Sequence, residues 1–263
     1  MSGNQEKMIE CYSGKPENGR QNYSRNDSLE FHYTKKQLDG FVNKDSRVLE
    51  IGCATGYYGF YFADKCKEYV GVDLLNFHID TFNKKIKESG TKNISCKVGD
   101  ATNLENIESD CFDVVLCLGP MYHLPLDGRK LAFAECKRVC KKGGIIAFAY
   151  INSIGTYAGI CVIEDYKHLY PNAKTNDYVI NKGTDDNRPG LFYYSMPEEM
   201  ENIASEIGLT KIKNLGTNFM CAMKIVNDMT DEQFEVMRPL YDKMCEHESC
   251  TGMAGHALLI CRK

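Results

Sequence analysis

No run of five or six like charges occurs in this chain of 263 residues, and its formal net charge is −4. A basic arm, an acidic tail and a general attraction for nucleic-acid backbones are therefore not expected. Nowhere do about 18 apolar residues follow one another without a charge, so no membrane-spanning helix is predicted. The opening Met1-Ser2-Gly3-Asn4-Gln5-Glu6-Lys7 lacks the apolar core of a secretory signal, and the expected location is cytoplasmic. Thirteen cysteines include no Cys-x-x-Cys pair, and Cys136 and Cys140 have no nearby His to complete a zinc set. No metal is expected. Cysteines within apolar runs, such as Cys117, Cys161 and Cys261, read as small buried apolar residues in a reducing compartment. Internal repeats and low-complexity segments are also missing.

What is present is an alternation of short apolar runs with longer segments of helical period, the pattern of a mostly parallel sheet covered on both faces. Strands are predicted near 47–51, 69–73, 93–98, 112–118 and 144–150, and helices near 57–66, 76–89 and 127–141. The third of these helices reads as ending at Lys141-Lys142-Gly143-Gly144. An earlier amphipathic helix spans Leu29 to Val42, with Asp27 or Ser28 as its cap. Beyond Tyr150 a helix is expected near 155–169, then a polar loop or lid from Asn172 to Gly190. Ser195 reads as the cap of a helix that has Pro197, Glu198 and Glu199 in its first turn and reaches Gly208. A strand near 210–215 follows. Thr217 to Gly255 holds two helical segments before the last strand, His256 to Cys261.

The most informative stretch is Val48-Leu49-Glu50-Ile51-Gly52-Cys53-Ala54-Thr55-Gly56, followed by Gly71-Val72-Asp73 and Gly99-Asp100-Ala101. Each lies where a parallel strand ends, which is where such sheets bind ligands. A pyrophosphate-binding turn would be Gly-x-Gly-x-x-Gly, but counting from Gly52 the chain has Ala54 and Tyr57 at those places. The acid two residues before Gly52 points elsewhere. With this set, Glu-x-Gly-x-x-x-Gly and the two later acids, the sequence resembles the class I S-adenosylmethionine-dependent methyltransferases from about Val48 to Tyr150. The order of elements extends the resemblance to residue 263.

The resemblance implies an α/β fold: a Rossmann-like, doubly wound, mostly parallel seven-stranded sheet with an antiparallel last strand and helical cap insertions. It implies one domain over 1–263, with an N-terminal helical cover (1–45), a cofactor-binding core (46–150) and substrate-cap insertions (151–194 and 217–255). The implied cofactor is S-adenosyl-L-methionine. Its methionine part belongs beside Gly52, Cys53, Ala54 and Gly56, supported by Glu50, with Tyr57 or Tyr58 closing over that end. Asp73 is the implied acceptor for the ribose hydroxyls and Asp100 for the adenine amine, with Leu74 and Ala101 flanking the ring. Ala54 stands where the family usually has glycine, and a positive φ there would aim its methyl at the cofactor.

The segment Leu116-Cys117-Leu118-Gly119-Pro120-Met121-Tyr122-His123-Leu124 is similar to the Leu-Gly-Pro-x-Tyr-His-Leu of a bacterial subgroup. It does not match the Asn/Asp-Pro-Pro-Tyr/Phe of base-amine methylases. By this resemblance Leu118 borders the cofactor, and Tyr122 and His123 are the catalytic candidates near the transferring methyl. Histidine has the right ordinary pKa to take a proton there. Tyr23 and Arg25 precede the N-terminal helix in a region that in similar proteins folds over the cofactor, and Arg25 is the candidate partner of its carboxylate.

Tyr157, Tyr166, Tyr170, Phe192, Tyr193 and Tyr194 in one insertion, and Phe219, Met220, Met223 and Met237 in the other, suit a small acceptor that is apolar or aromatic in part. His168 and Arg188 are the polar candidates among them. The reading is methyl transfer to an O, N or S nucleophile of a small molecule. Its alternatives are an RNA or protein acceptor, a non-catalytic S-adenosylmethionine-binding protein, and a nucleotide-sugar or nicotinamide enzyme.

Overall fold

The computed structural model describes residues 8–10, 12, 17, 19–163, 167–182 and 192–263. Tyr166, Arg188, residues 183–190 of the polar stretch and the side chain of Met223 lie outside this description.

Strands β1 (Arg47–Ile51), β2 (Glu68–Asp73), β3 (Ile94–Val98), β4 (Phe112–Cys117), β5 (Cys140–Ile151), β6 (Thr210–Gly216) and β7 (His256–Arg262) make one sheet in the order β3-β2-β1-β4-β5-β7-β6. Only β7 runs antiparallel to its neighbours, β5 and β6. The expected topology, with its antiparallel last strand, is the one observed.

Helices α1 (Arg25–Leu38), α2 (Tyr57–Ala63), α3 (Asn76–Ser89), α4 (Leu126–Val139) and α5 (Ser153–Val162) alternate with the first five strands or follow them. Farther on come α6 (Ala173–Asp177), α7 (Pro197–Glu206), α8 (Met223–Asp228) and α9 (Asp231–Glu246). Successive side chains of a strand point to opposite faces, and the core divides accordingly. Leu49, Ile51, Val115, Cys117, Ile146 and Phe148 pack with Phe133 of α4, Ile203 of α7 and Tyr241 of α9. Val48, Val114, Leu116, Ile145 and Ala147 pack with Leu38 of α1, Phe62 of α2 and Phe82 of α3. Seven of the described cysteines are buried and none is in a disulfide. Burial raises the thiols of Cys66 and Cys96 to about 11 and those of Cys140 and Cys261 to about 12, as expected of inert apolar residues.

The turn after β1 owes its shape to two glycines with positive φ, Gly52 at 81° and Gly56 at 87°. A Cβ on Gly56 would lie 2.1 Å from the Phe82 ring, and one on Gly52 would lie 2.7 Å from Pro120 Cδ. Their absence of side chains lets α3 and the β4 loop close on the turn. The ring of Phe82 also fills the space left by Gly59 and Gly71, where added Cβ atoms would come within 2.7 and 2.9 Å of it.

Several local expectations need correction. Helix α1 starts at Arg25 because Ser24, in extended backbone, accepts the Asp27 N–H; neither Asp27 nor Ser28 is the cap. Helix α4 stops at Val139, since Cys140 already pairs with Phe112, and Lys141 to Gly144 form a bulge within β5 where the register shifts. At α7 the cap is Met196, whose N–H reaches the Glu199 carboxylate at 2.7 Å. Ser195 instead bonds through its backbone to Ile151 and through its hydroxyl to Arg129. The helix expected over 155–169 covers 153–162, and part of the expected loop after 172 is helical, α6 with a π turn at Tyr178–Lys182.

Candidate active site

A cavity of about 460 Å³ opens at the carboxyl ends of β1 to β4, around the point between β1 and β4 where strand order reverses. Glu50, Gly52, Cys53, Ala54, Tyr58, Asp73, Leu74, Asp100, Ala101, Leu118, Tyr122 and His123 all line it. Three predicted residues do not. Gly56 serves the contact with Phe82 described above. Tyr23 is 62% exposed. Arg25 donates to the carbonyls of Val226 at 2.6 Å and Met229 at 2.7 Å and to Asp231 at 2.7 Å, which fastens α1 to α8 and the start of α9.

Asp73, at the end of β2, is buried and faces a ring of donors. Its Oδ2 accepts the Ala54 N–H at 2.8 Å; its Oδ1 accepts the Leu75 N–H at 2.9 Å and lies 3.1 Å from His78 Nδ1. The bond to Ala54 is made with that residue at φ 43°, so the backbone here does take the positive φ that aims the Ala54 methyl outward, and the carboxylate stabilises the turn. Asp100 uses Oδ1 for the backbone N–H and the hydroxyl of Thr102, both at 2.8 Å, while Oδ2 makes no hydrogen bond to a described residue.

Glu50 is almost fully buried and accepts a 2.5 Å hydrogen bond from Tyr69. Burial raises its pKa, and although Tyr69 opposes this, the nearby Asp73 adds to it; the result is about 8. The folded protein therefore holds a proton here that the unfolded chain, with an ordinary value of 4.5, has released. Stability supplied by this neutral acid is complete below the unfolded value and is lost as pH rises toward 8. Denaturation at about pH 5 and about pH 8 should show the ligand-free protein losing a few kcal/mol between them, at about 1.4 kcal/mol per pH unit. Glu50→Gln should flatten the slope; an unchanged slope would reject the protonated acid.

On the N-terminal side the arginine that lines the cavity is Arg20, five residues before the predicted one. Its Nη1 and Nη2 grip the buried Glu30 at 2.9 and 3.2 Å, and its Nε reaches Glu17 at 2.8 Å. Burial disfavours both charges, but Arg20 outweighs it and holds Glu30 at about 2, while Glu30 in turn raises Arg20. A guanidinium has five N–H groups, so two remain for a ligand carboxylate.

The far wall is aromatic. Tyr122 and His123 stand edge to face at 4.9 Å, and Phe192 lies 6.0 and 5.3 Å from their rings. Tyr193, whose N–H donates to the Tyr122 carbonyl, joins the cavity lining. The Tyr12 hydroxyl is 2.7 Å from His123 Nε2. Buried Arg129 pins this corner through the carbonyls of Met121 at 2.8 Å and Leu124 at 3.0 Å. Of the other cap candidates, Phe219 is fully buried against Tyr241, Met237 packs on the core, and Tyr157 meets Tyr170 edge-on at 6.3 Å. His168 is exposed and outside the cavity lining. Among the described residues no group of three or more His, Cys, Asp or Glu side chains could hold a metal, and no helix is long and apolar enough to cross a membrane.

Sequence reasoning missed Arg20, Tyr12 and His78. Arg20 and Tyr12 precede any periodic segment, so nothing marks their direction. His78 carried a signal: an acid ending a strand, followed five residues later by a histidine in the first turn of the next helix.

Comparison with known proteins agrees with this geometry. Residues 48–144 match the family model described as a methyltransferase domain. An uncharacterized protein of Rickettsia prowazekii is 28% identical over 137 residues, covering 51% of this chain and 24% of that protein. A protein of Idiomarina loihiensis named ubiquinone biosynthesis O-methyltransferase is 29% identical over 120 residues, covering 46% of this chain and 47% of its own. The chain thus spans from a quarter to a half of the length of these curated relatives. Among solved structures, an S-adenosylmethionine-dependent methyltransferase of Mesorhizobium loti superimposes with a TM-score of 0.56 at 16% identity, covering 89% of this chain and 100% of that one. Residues 48–144 thus match a methyltransferase domain, and the seven-stranded sheet that contains them shares the fold of the S-adenosylmethionine-dependent methyltransferase of Mesorhizobium loti.

Proposed function

We propose that this protein transfers the methyl group of S-adenosylmethionine to an O, N or S nucleophile of a small molecule that is apolar or aromatic in part. The carrying observation is that the three acids Glu50, Asp73 and Asp100 share one cavity with the aromatic wall of Tyr122, His123 and Tyr193. The residues suit the cofactor: Asp73 and Asp100 are acceptors for hydroxyls and an amine, Arg20 retains donors for a carboxylate, and Glu50 borders the place of the methionine amine. When bound, the cofactor supplies an electrophilic methyl on a sulfonium. The chain's part is to align an acceptor in line with it and to remove a proton where the acceptor carries one.

His123 is the proposed base, with Tyr122 and Tyr193 positioning the acceptor; the Tyr12 hydroxyl, at 2.7 Å from Nε2, passes its own proton to the imidazole as it takes the acceptor's. The name of the Idiomarina protein favours an oxygen nucleophile. A wall of rings around His123, in a chain of net charge −4, fits a small organic acceptor better than a polyanion.

The test is formation of S-adenosylhomocysteine, followed by mass spectrometry, with panels of phenols, amines and thiols. His123→Gln should lower kcat by about 100-fold with an acceptor that must lose a proton, and should leave cofactor affinity within about threefold. Full turnover by that variant would remove His123 from the chemistry. Tight cofactor binding without turnover of any acceptor would favour the non-catalytic reading.

A further inference from the structure

An ionised carboxylate has about four acceptor positions. On Asp73 three are taken by the protein itself: two on Oδ1, by the Leu75 N–H and His78 Nδ1, and one on Oδ2, by the Ala54 N–H. A single position on Oδ2 remains. A ribose offers two adjacent hydroxyls, and Asp73 cannot accept from both while keeping the bonds that shape the turn.

The second acceptor is next to it. His78 is 4% exposed, sits in the first turn of α3 and lines the same cavity. Its Nδ1 faces a carboxylate oxygen and so carries the proton of the neutral ring, which leaves Nε2 as a bare lone pair. That atom is buried and has no hydrogen-bond partner among the described residues. Rings meet the imidazole edge-on, Phe77 at 4.6 Å and Tyr12 at 5.9 Å, and fix its plane. A buried acceptor without a donor is costly unless a ligand satisfies it.

We propose that His78 Nε2 accepts one hydroxyl of the cofactor ribose while Asp73 Oδ2 accepts the other, so that the diol is read by two residues rather than one. This assignment rests on the cofactor reading above, and it makes His78 a specificity residue that the sequence motif does not include.

Calorimetry with S-adenosylhomocysteine and its 2′-deoxy and 3′-deoxy analogues tests it. The wild type should bind each analogue about 5- to 10-fold more weakly than the parent. In His78→Phe the penalty for one analogue should fall to about one while the other persists; the phenyl ring fills the imidazole's place and keeps the released position on Asp73 covered. Parent binding with both penalties unchanged in His78→Phe overturns this proposal alone. A wild type that binds no S-adenosylhomocysteine overturns the cofactor reading itself. Should His78→Phe fail to fold, nitrogen NMR of the wild type decides. The Nε2 signal of His78 should shift upfield with the parent ligand and remain in place with one of the two analogues. A signal that does not respond to the parent excludes the bond.

Discussion

Asp73→Ala is expected to weaken binding of S-adenosylhomocysteine on the order of 100-fold, the largest effect of any single change in the cavity wall. Two losses combine. The ligand loses a charged acceptor, and the turn loses the bonds that hold the Ala54 and Leu75 N–H groups in place. With φ at 43°, Ala54 has an intrinsic preference to leave this conformation, so the empty turn should relax away from the shape that binds. Asp73→Asn should be nearly as damaging despite its equal size. Both oxygens of Asp73 face donors, so whichever side the amide nitrogen takes, it meets an N–H. Calorimetry on both variants, with circular dichroism as the check on folding, measures this. Affinity within threefold of wild type in a folded Asp73→Ala protein would remove the ribose assignment.

Arg20→Met should cost about 3–5 kcal/mol of stability, because it leaves Glu30 buried without the cation that holds it ionised. His256 Nδ1, 3.7 Å from Glu30, is a weak substitute, since burial lowers its own pKa. In the wild type Glu30 has its pKa held at about 2, against 4.5 when free. That contribution is present above the unfolded value and is lost as pH falls toward 2. Thermal unfolding near neutral pH should drop by roughly 6–15 °C in Arg20→Met, and Glu30→Gln in the same chain should restore much of it. A variant that melts with the wild type would mean that the pair is not buried as described. The cofactor carboxylate should also bind less well, which the Arg20→Met, Glu30→Gln protein separates from the stability loss.

The sheet was legible because its central strands, buried on both faces, read as short continuous apolar runs, and each ends in turn chemistry. Leu49 and Ile51 against Val48 and Glu50 already divide the two faces. The acids at the strand tips were legible for the same reason: once a strand is placed, the residues at and just beyond its end are placed too. The N-terminal cover was not. Arg20 and Arg25 are equal in the sequence, and only the packing of α1 against α8 and α9 turns Arg25 away. The bulge in β5 was also hidden, because two lysines and two glycines after a helical run imitate a helix end. The cap aromatics divide between core and cavity according to contacts across long sequence separations, which no local pattern reports.

The three bonds from Arg25 to residues 226–231 make the front and rear of the sequence a single inherited unit. Chimeras that exchange acceptor preference between relatives should carry residues 20–38 and 217–255 from the same parent. A graft of either piece alone would strand a guanidinium without its carbonyls.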